Sequence, residues 1–256
     1  MYYLGVDIGA ATAKAALIRD QSLCAEVIID TGPDIREVSR RIAAEVLDKV
    51  GIGMADVQKI VATGYGRISV DFAHKRVTEI TCHAKGVHQL VNEAKTIIDI
   101  GGQDSKAIRI DGSGNVLDFV MNDKCAAGTG RFLEVIARAL EIPIGDLGAI
   151  SLQGNEPCTI SSVCTVFAES EVVSLRAEGK SRENIVAGIH KSIASRIRAM
   201  MGQVGHEGVI VLTGGVAKNK GLIKALEDDL STCLRIPEFP QLTGAFGAAL
   251  IASNNC

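Results

Sequence analysis

The sequence predicts an α/β protein that contains one internal duplication. Residues 7–18 and 99–110 are identical at six of twelve positions, which hold an aspartate, an isoleucine, a glycine, a lysine, an alanine and an isoleucine. Segments of β-rich sequence also alternate with segments whose apolar residues recur every three or four positions, the spacing of an amphipathic helix. The chain therefore mixes strands with helices and carries one copy of the repeat in each half.

Each copy of the repeat predicts a β-hairpin. An apolar run, 2–6 in the first copy and 96–98 in the second, leads into an aspartate and glycines. A second β-rich run then ends near Asp20 or Asp111. A strand, a tight glycine turn and another strand are typical of a hairpin with a loop of about 3–5 residues.

Helical spacing follows the hairpins. Residues 35–50 carry apolar side chains at intervals of three and four. We expect Pro143 to stop a helix over 132–140, and Gly179 to close a helix over 167–177 as the glycine that follows its end. The remaining predicted elements are a long amphipathic helix over 185–200, a buried strand over 208–213 and a further helix after Gly214-Gly215.

The domain boundary is predicted from the repeat alone, because no Pro- or Ser-rich linker divides the halves. We place a first domain at residues 1–92 and a second at 93–240. A C-terminal helix over 241–256 is expected to complete the first domain.

Composition excludes several classes of protein. The 256 residues are 47% apolar and 22% charged, as in globular proteins, which excludes disorder or coiled coil as the main state. A net charge of −3 without a long basic run gives no support for a nucleic-acid partner. Without an apolar stretch of about 18 residues or a basic leader, we expect a soluble, cytoplasmic protein with no membrane partner. Seven cysteines, an odd number, argue against a disulfide framework.

The paired turns predict a phosphate site. A glycine turn lets backbone N–H groups approach a phosphate, and a neighbouring carboxylate holds a magnesium ion that neutralises the phosphate oxygens. Two such turns would grip a triphosphate from both sides of a cleft. Gln103 and Asp104 are able to orient or deprotonate a water, so at least one of them is expected to be catalytic. The predicted nucleotide contacts in the two turns are Asp7, Gly9, Ala10, Ala11, Thr12, Lys14, Asp99, Gly101 and Gly102.

A third glycine element lies at 214–219, after the predicted strand 208–213. Glycines at this place allow a flat base or a ribose to approach the backbone closely. The predicted contacts of this element are Gly214, Gly215, Val216 and Asn219.

Together, the two hairpins and the glycine pair resemble the phosphate and adenosine motifs of the actin, sugar-kinase and Hsp70 superfamily of ATPases. The resemblance implies two similar actin-like (ribonuclease H-like) domains that flank a nucleotide cleft. It also implies ATP or ADP with Mg²⁺, with Asp7 and Asp99 holding the metal largely through water and Gly214 and Gly215 flanking adenosine. One departure is the pair Ala10-Ala11, where related proteins carry Gly-Ser or Gly-Thr.

Two cysteines, Cys125 and Cys164, lie just before predicted helices. A helix N-terminus carries free N–H groups and about half a positive charge, which favours a thiolate. The alternative is that both are buried structural thiols, a common role for unpaired cysteines. A zinc or iron–sulfur site of thiolates takes four ligands, so these two cysteines would need a second copy of the chain across a two-fold axis.

Four segments sharpen the family resemblance. They are similar to the activator components of 2-hydroxyacyl-CoA dehydratases, and the match runs nearly end to end. The segments are Asp99-Ile-Gly-Gly-Gln-Asp104, Asn122-Asp-Lys-Cys-Ala-Ala-Gly-Thr-Gly-Arg-Phe132, Cys164-Thr-Val-Phe-Ala-Glu-Ser170 and Thr243-Gly-Ala-Phe-Gly-Ala-Ala249.

This resemblance implies a homodimer with one 4Fe-4S cluster between its subunits and with Cys125 and Cys164 as the ligands. Such activators use ATP to drive one electron onto a dehydratase, and a ferredoxin or flavodoxin is the expected donor. Two alternatives remain at this point. One is a small-molecule kinase of the same superfamily without a cluster, and the other is a nucleotide sensor whose subunits share a zinc ion.

Overall fold

The computed structural model describes residues 1–160 and 164–254. The chain divides into two compact units. Unit 1 comprises Met1–Ala94, Ile110–Leu117 and Pro237–Cys256, of which the last is described to residue 254. Unit 2 comprises Lys95–Arg109 and Asp118–Ile236. The predicted domain ranges stay a prediction, and the two units differ from them chiefly because 110–117 groups with unit 1.

The elements of the first 94 residues build one sheet and two helices. The sheet has the strand order β3-β2-β1-β4-β5, with β1 antiparallel to β2 and parallel to β4. In chain order the elements are β1 (Tyr2–Ile8), β2 (Thr12–Arg19), β3 (Ser22–Asp30), α1 (Ile35–Asp48), β4 (Val57–Thr63), β5 (Lys75–Arg76) and α2 (Glu79–Leu90).

Unit 2 repeats this plan with insertions. Its sheet has the order β10-β9-β6-β7-β8, and β6 and β7 form the second antiparallel hairpin. The elements are β6 (Ala94–Ile100), β7 (Ser105–Ile110), β8 (Val116–Asn122), α3 (Gly130–Leu140), α4 (Leu147–Ser151), α5 (Thr165–Ala177), α6 (Arg182–Val204), β9 (Val209–Thr213), α7 (Lys220–Leu230) and β10 (Leu234–Arg235). The last helix, α8 (Thr243–Ser253), belongs to unit 1. The predicted α/β class and the duplicated hairpins are confirmed.

Helix ends follow local chemistry. Asp34 caps α1 by accepting hydrogen bonds from the amides of Arg36 and Glu37, both at 3.0 Å. The helix before Pro143 ends at Leu140, because Glu141 already takes a left-handed conformation with φ +56°. Gly179 follows α5 with φ +80°, as predicted, and the Lys180 amide donates to the Leu175 carbonyl.

Helices α2 and α8 cross at a contact that only glycine permits. A Cβ at Gly247 would lie 1.8 Å from the Cys82 carbonyl oxygen, and a Cβ at Gly86 would lie 2.1 Å from the Thr243 carbonyl oxygen. Each helix therefore presents a glycine to the backbone of the other, and on each helix this glycine lies four residues after the residue that the other glycine contacts. By this reciprocal relation, Cys82 on α2 corresponds to Thr243 on α8.

A buried histidine joins three helices of unit 2. The His190 Nδ1 atom on α6 lies 2.9 Å from the Ser151 hydroxyl on α4, and its Nε2 atom lies 3.2 Å from the Asn219 amide before α7. Burial lowers the pKa of His190 to about 4, because a charged imidazolium would lose its hydration. The ring is therefore neutral in the folded protein at neutral pH.

This burial predicts an acid-sensitive unit 2. In the unfolded chain His190 protonates near pH 6.5, but in the folded protein it does so only near pH 4. Its stabilising contribution is therefore complete above pH 6.5 and is lost as the pH falls toward 4. Between pH 7.5 and pH 5.0 the free energy of unfolding should fall by about 2 kcal/mol through this residue.

Urea unfolding at the two pH values measures this effect. Over the same pH interval, the free energy of unfolding of the variant His190→Gln should fall by about 2 kcal/mol less than that of the wild type. Exposed His206 supplies the matched control, since His206→Gln should keep the full pH dependence. Equal losses for His190→Gln and the wild type would contradict the prediction.

Across 1–160 and 164–254, none of the helices is both long enough and apolar enough to cross a bilayer.

Candidate nucleotide and thiol sites

The first hairpin turn, between β1 and β2, carries a partly buried ion pair. Asp7 is buried at the end of β1, and its Oδ2 atom lies 3.4 Å from the Lys14 ammonium. The turn is closed by a hydrogen bond from the Gly9 amide to the Thr12 carbonyl at 3.1 Å. Ala10 and Ala11 are exposed at its tip, so the backbone around them is accessible.

The second turn, between β6 and β7, repeats this geometry. Asp99 and Lys106 are both buried, and their charged groups lie 3.4 Å apart, as in the first turn. The Gly101 amide donates to the Asp104 carbonyl at 2.9 Å, which is the counterpart of the bond from Gly9 to Thr12. The duplication seen in the sequence is thus also a duplication of ion pairs and turn hydrogen bonds.

The two candidate catalytic residues lie in different environments. The Asp104 carboxylate is buried and lies 2.7 Å from the Lys106 ammonium, which also faces Asp99. Gln103 is exposed at the tip of the turn. Because Asp104 is held in an ion pair, Gln103 has the better access to a water molecule.

A second duplicated element follows one parallel strand in each sheet. These strands are β4, which is parallel to β1, and β9, which is parallel to β10. Thr63-Gly64 and Thr213-Gly214 end these strands, and both glycines have positive φ angles, +83° and +88°. A Cβ at Gly64 would lie 2.4 Å from Asp7 Oδ1, and a Cβ at Gly214 would lie 2.2 Å from the Ile100 carbonyl oxygen. Each Thr-Gly pair therefore packs directly behind the aspartate turn of its own unit.

The threonine of this element is a site residue that sequence reasoning missed. The Thr213 hydroxyl donates to Asp99 Oδ1 at 2.8 Å, so it fixes the carboxylate that Lys106 also faces. Thr63 lies in register with Asp7 across β4 and β1. The repeated Thr-Gly after an apolar run, at 63–64 and 213–214, was the available signal in the sequence.

The predicted adenosine element has an exposed and a buried part. Gly214 is half-buried and Gly215 is exposed, whereas the Val216 side chain packs in the core of unit 2. Asn219 caps α7 by accepting a hydrogen bond from the Leu222 amide at 3.0 Å, and its Nδ2 atom faces His190. A ligand at this element would therefore meet the glycine backbone, while the Asn219 side chain holds the local structure.

The two cysteines differ in their relation to a helix. Cys164 is exposed and is the N-cap residue of α5, as predicted. The prediction for Cys125 is wrong, because the N-cap of α3 is Thr129, four residues further on. The first amides of α3 donate instead to the carbonyls of Gly101 and Gly102, at 2.9 and 2.8 Å. Half-buried Cys125 thus lies in the loop between β8 and α3 and cannot draw on free amides of Gly130 and Arg131.

The remaining cysteines lie in different environments. Cys82 is fully buried, and burial raises the pKa of its thiol to about 12, so it is a packed, protonated thiol. Cys24 and Cys233 are exposed and Cys158 is half-buried, while Cys256 lies outside the described residues. Among the residues that the structure describes, no three His, Cys, Asp or Glu side chains come together as a metal site.

Comparison with known proteins identifies the family. The model of the BadF/BadG/BcrA/BcrD ATPase family matches residues 4–252. The chain belongs to this ATPase family. The match covers both hairpin turns, both Thr-Gly elements and both candidate ligand cysteines, so the ATPase family and the nucleotide as its ligand agree with the expectation from the sequence.

Relatives of this ATPase are similar over nearly their whole length. It is 47% identical to the activator of lactoyl-CoA dehydratase from Anaerotignum propionicum, over 98% of this chain and 97% of that protein. The solved activator of the 2-hydroxyisocaproyl-CoA dehydratase from Clostridium difficile with bound ADPNP is 43% identical, with a TM-score of 0.93, and the match covers 100% of this chain and 95% of that one. Component A of the Acidaminococcus fermentans (R)-2-hydroxyglutaryl-CoA dehydratase is 40% identical, with a TM-score of 0.96 and coverage of 100% and 98%.

A more distant likeness concerns the fold alone. A ROK family glucokinase from Streptomyces griseus has a TM-score of 0.62 at 14% identity, and the match covers 99% of this chain and 100% of that one. The predicted actin-like fold with two similar domains is thereby confirmed for this ATPase.

Proposed function

We propose that this protein is a homodimeric ATPase that carries one 4Fe-4S cluster between its copies and activates a 2-hydroxyacyl-CoA dehydratase by giving it one electron. The observation that supports this proposal is the 47% identity to a named dehydratase activator over 98% of the chain. The glucokinase likeness does not favour a kinase, because 14% identity carries the fold only.

In this proposal the two hairpin turns bind the phosphates of ATP. The accessible backbone at Gly9, Ala10, Ala11 and Thr12 would face one side of the phosphate chain, and Gly101 and Gly102 the other. Asp7 and Asp99 would hold Mg²⁺ largely through water, with Lys14 and Lys106 fixing the carboxylates. Exposed Gln103 would orient the water that attacks the terminal phosphate, giving ADP and inorganic phosphate.

Asp104 receives a different role in this proposal. Its ion pair with Lys106 at 2.7 Å keeps that ammonium beside Asp99, so the carboxylate positions the cation. The glycine backbone at 214–215 would receive the adenosine, while the buried Val216 and the capping Asn219 hold this backbone in place.

Cys125 and Cys164 would hold the cluster. Thiolates are the donors that iron–sulfur clusters take, and both side chains are accessible enough to serve. Because a cubane takes four thiolates, two from each chain fit a cluster on a two-fold axis, in line with the absence of a three-ligand group in the described part of one chain. When bound, the cluster would accept one electron from a reduced ferredoxin or flavodoxin and release it to the dehydratase.

The test is activation of a dehydratase under anoxic conditions. Protein purified without oxygen should contain about four iron atoms per dimer. With ATP, Mg²⁺ and a reduced ferredoxin or flavodoxin, it should switch on an inactive 2-hydroxyacyl-CoA dehydratase, whereas ADP in place of ATP should not. Colourless protein that phosphorylates an added sugar or acid would identify a kinase, and colourless, air-stable zinc protein would identify a sensor.

A further inference from the structure

His83, on α2, is a buried histidine that the proposed mechanism does not use. The residue is 7% exposed, and its Nδ1 atom lies 2.8 Å from the Thr243 hydroxyl at the start of α8. This contact fixes the plane of the imidazole ring. The ring therefore presents its other nitrogen, Nε2, in a defined direction.

The Nε2 atom faces the space over Gly244, which Asp7 also borders. A Cβ built on Gly244 would lie 3.3 Å from His83 Nε2 and 2.9 Å from Asp7 Oδ2. The two polar atoms therefore border one small space that any larger residue at position 244 would fill. Because Cys82 corresponds to Thr243 at the crossing of α2 and α8, His83 corresponds to Gly244. The imidazole of His83 therefore faces a glycine on the other helix, where a larger side chain would fill the space.

The surroundings of Asp7 differ from those of its counterpart Asp99. In unit 2, Thr213 donates to Asp99 Oδ1 and Lys106 faces its Oδ2 atom. In unit 1, Lys14 faces Asp7 Oδ2, Thr63 lies in register with Asp7 across β4 and β1, the buried Cys82 thiol lies near enough for the Asp7 charge to act on it, and His83 Nε2 borders the space over Gly244. The imidazole thus borders the same space as the Asp7 carboxylate at the first turn.

We propose that His83 is a positioning residue for Asp7. Through Nε2 it orients the carboxylate, or a water bound between the two, so that Asp7 holds the divalent cation of the nucleotide. The inference rests on the proposed function, since it assigns Asp7 to the cation. Side chains that orient metal-binding carboxylates change metal affinity by about 10- to 100-fold when they are removed.

The experiment separates the two ring nitrogens. Asparagine places its amide near the position of Nδ1, and glutamine places its amide near that of Nε2. In the full chain with ADP, Mn²⁺ affinity should weaken about 10- to 100-fold in His83→Asn and stay within about threefold of the wild type in His83→Gln. Free Mn²⁺ is measured by electron paramagnetic resonance, and ADP affinity without a metal should not change.

His88→Gln, five residues further along α2, is the control and should bind Mn²⁺ as the wild type does. Equal weakening by asparagine and glutamine, or no weakening by either, would overturn the proposal. If His83→Asn does not fold, His83→Ala takes its place, because it also removes Nε2, and the comparison with His83→Gln is then made in the same way. Wild-type protein that binds Mn²⁺ with ADP but fails to activate a dehydratase would refute the proposed function and leave this inference standing.

Discussion

The substitutions Cys125→Ser and Cys164→Ser are each expected to abolish iron binding by the protein. Each substitution removes two of the four ligands at once, because both copies of the chain contribute the same residue to a centre on the two-fold axis. A serine hydroxyl is not ionised at neutral pH and does not replace a thiolate. Anoxically purified Cys125→Ser and Cys164→Ser should therefore fall from about four iron atoms per dimer to nearly none.

Iron analysis and the electron paramagnetic resonance spectrum of the dithionite-reduced protein measure this loss. Activation of the dehydratase should disappear with the signal, while binding of ATP should persist, since the hairpin turns are unchanged. Cys24→Ser and Cys233→Ser are matched controls at exposed positions and should keep all the iron. Half-buried Cys158 should also be dispensable. Full iron content in Cys125→Ser or Cys164→Ser, or a monomer that carries it, would refute the shared site.

Alanine in place of Gly247 is expected to destabilise unit 1 by about 3 kcal/mol or more. The added methyl would lie 1.8 Å from the Cys82 carbonyl oxygen and 2.8 Å from the Gly86 amide nitrogen. Both are backbone atoms, so no side chain can rotate away, and α2 and α8 must move apart. Such a shift disturbs the apolar cluster that contains buried Phe246 and Ala249.

Urea unfolding followed by circular dichroism measures the effect. Gly202→Ala is the control, because residue 202 lies in the last turn of α6 and its Cβ would meet open space. There the higher helix propensity of alanine should raise the free energy of unfolding by about 0.5–1 kcal/mol. The two alanine substitutions should thus change the free energy of unfolding in opposite directions. A decrease of less than about 1 kcal/mol for Gly247→Ala would contradict the close crossing.

Much of the fold could be predicted because its signals are local. The repeated aspartate, glycine and lysine identified both hairpins, and helical spacing identified α1, α5 and α6. The helix α3 was also expected, but the partners of its first amides were not. Its first amides bond to the carbonyls of Gly101 and Gly102, and a contact between distant parts of the chain leaves no mark in the local sequence.

The candidate site was predictable to a similar extent. Asp7 and Asp99 occupy matching positions of the repeat, as do Lys14 and Lys106, and the structure places each aspartate 3.4 Å from the lysine of its own copy. The ion pair between Asp104 and Lys106 was not foreseen, because the residue type alone does not reveal which polar group points inward. The role of Thr213 was missed for the same reason, and so was the position of His83 over Gly244.

The interrupted path of unit 1 also bears on how the chain is made. Strand β1 is synthesised long before α8, but Gly5 on this strand contacts that helix closely, since the Ala245 carbonyl oxygen lies 1.9 Å from the position of a Cβ at residue 5. Tyr3, Ile18 and Val61 share an apolar cluster with that helix. Until translation has passed α8, one face of this sheet stays uncovered, and a ribosome stalled before residue 243 holds a nascent chain that is prone to aggregate.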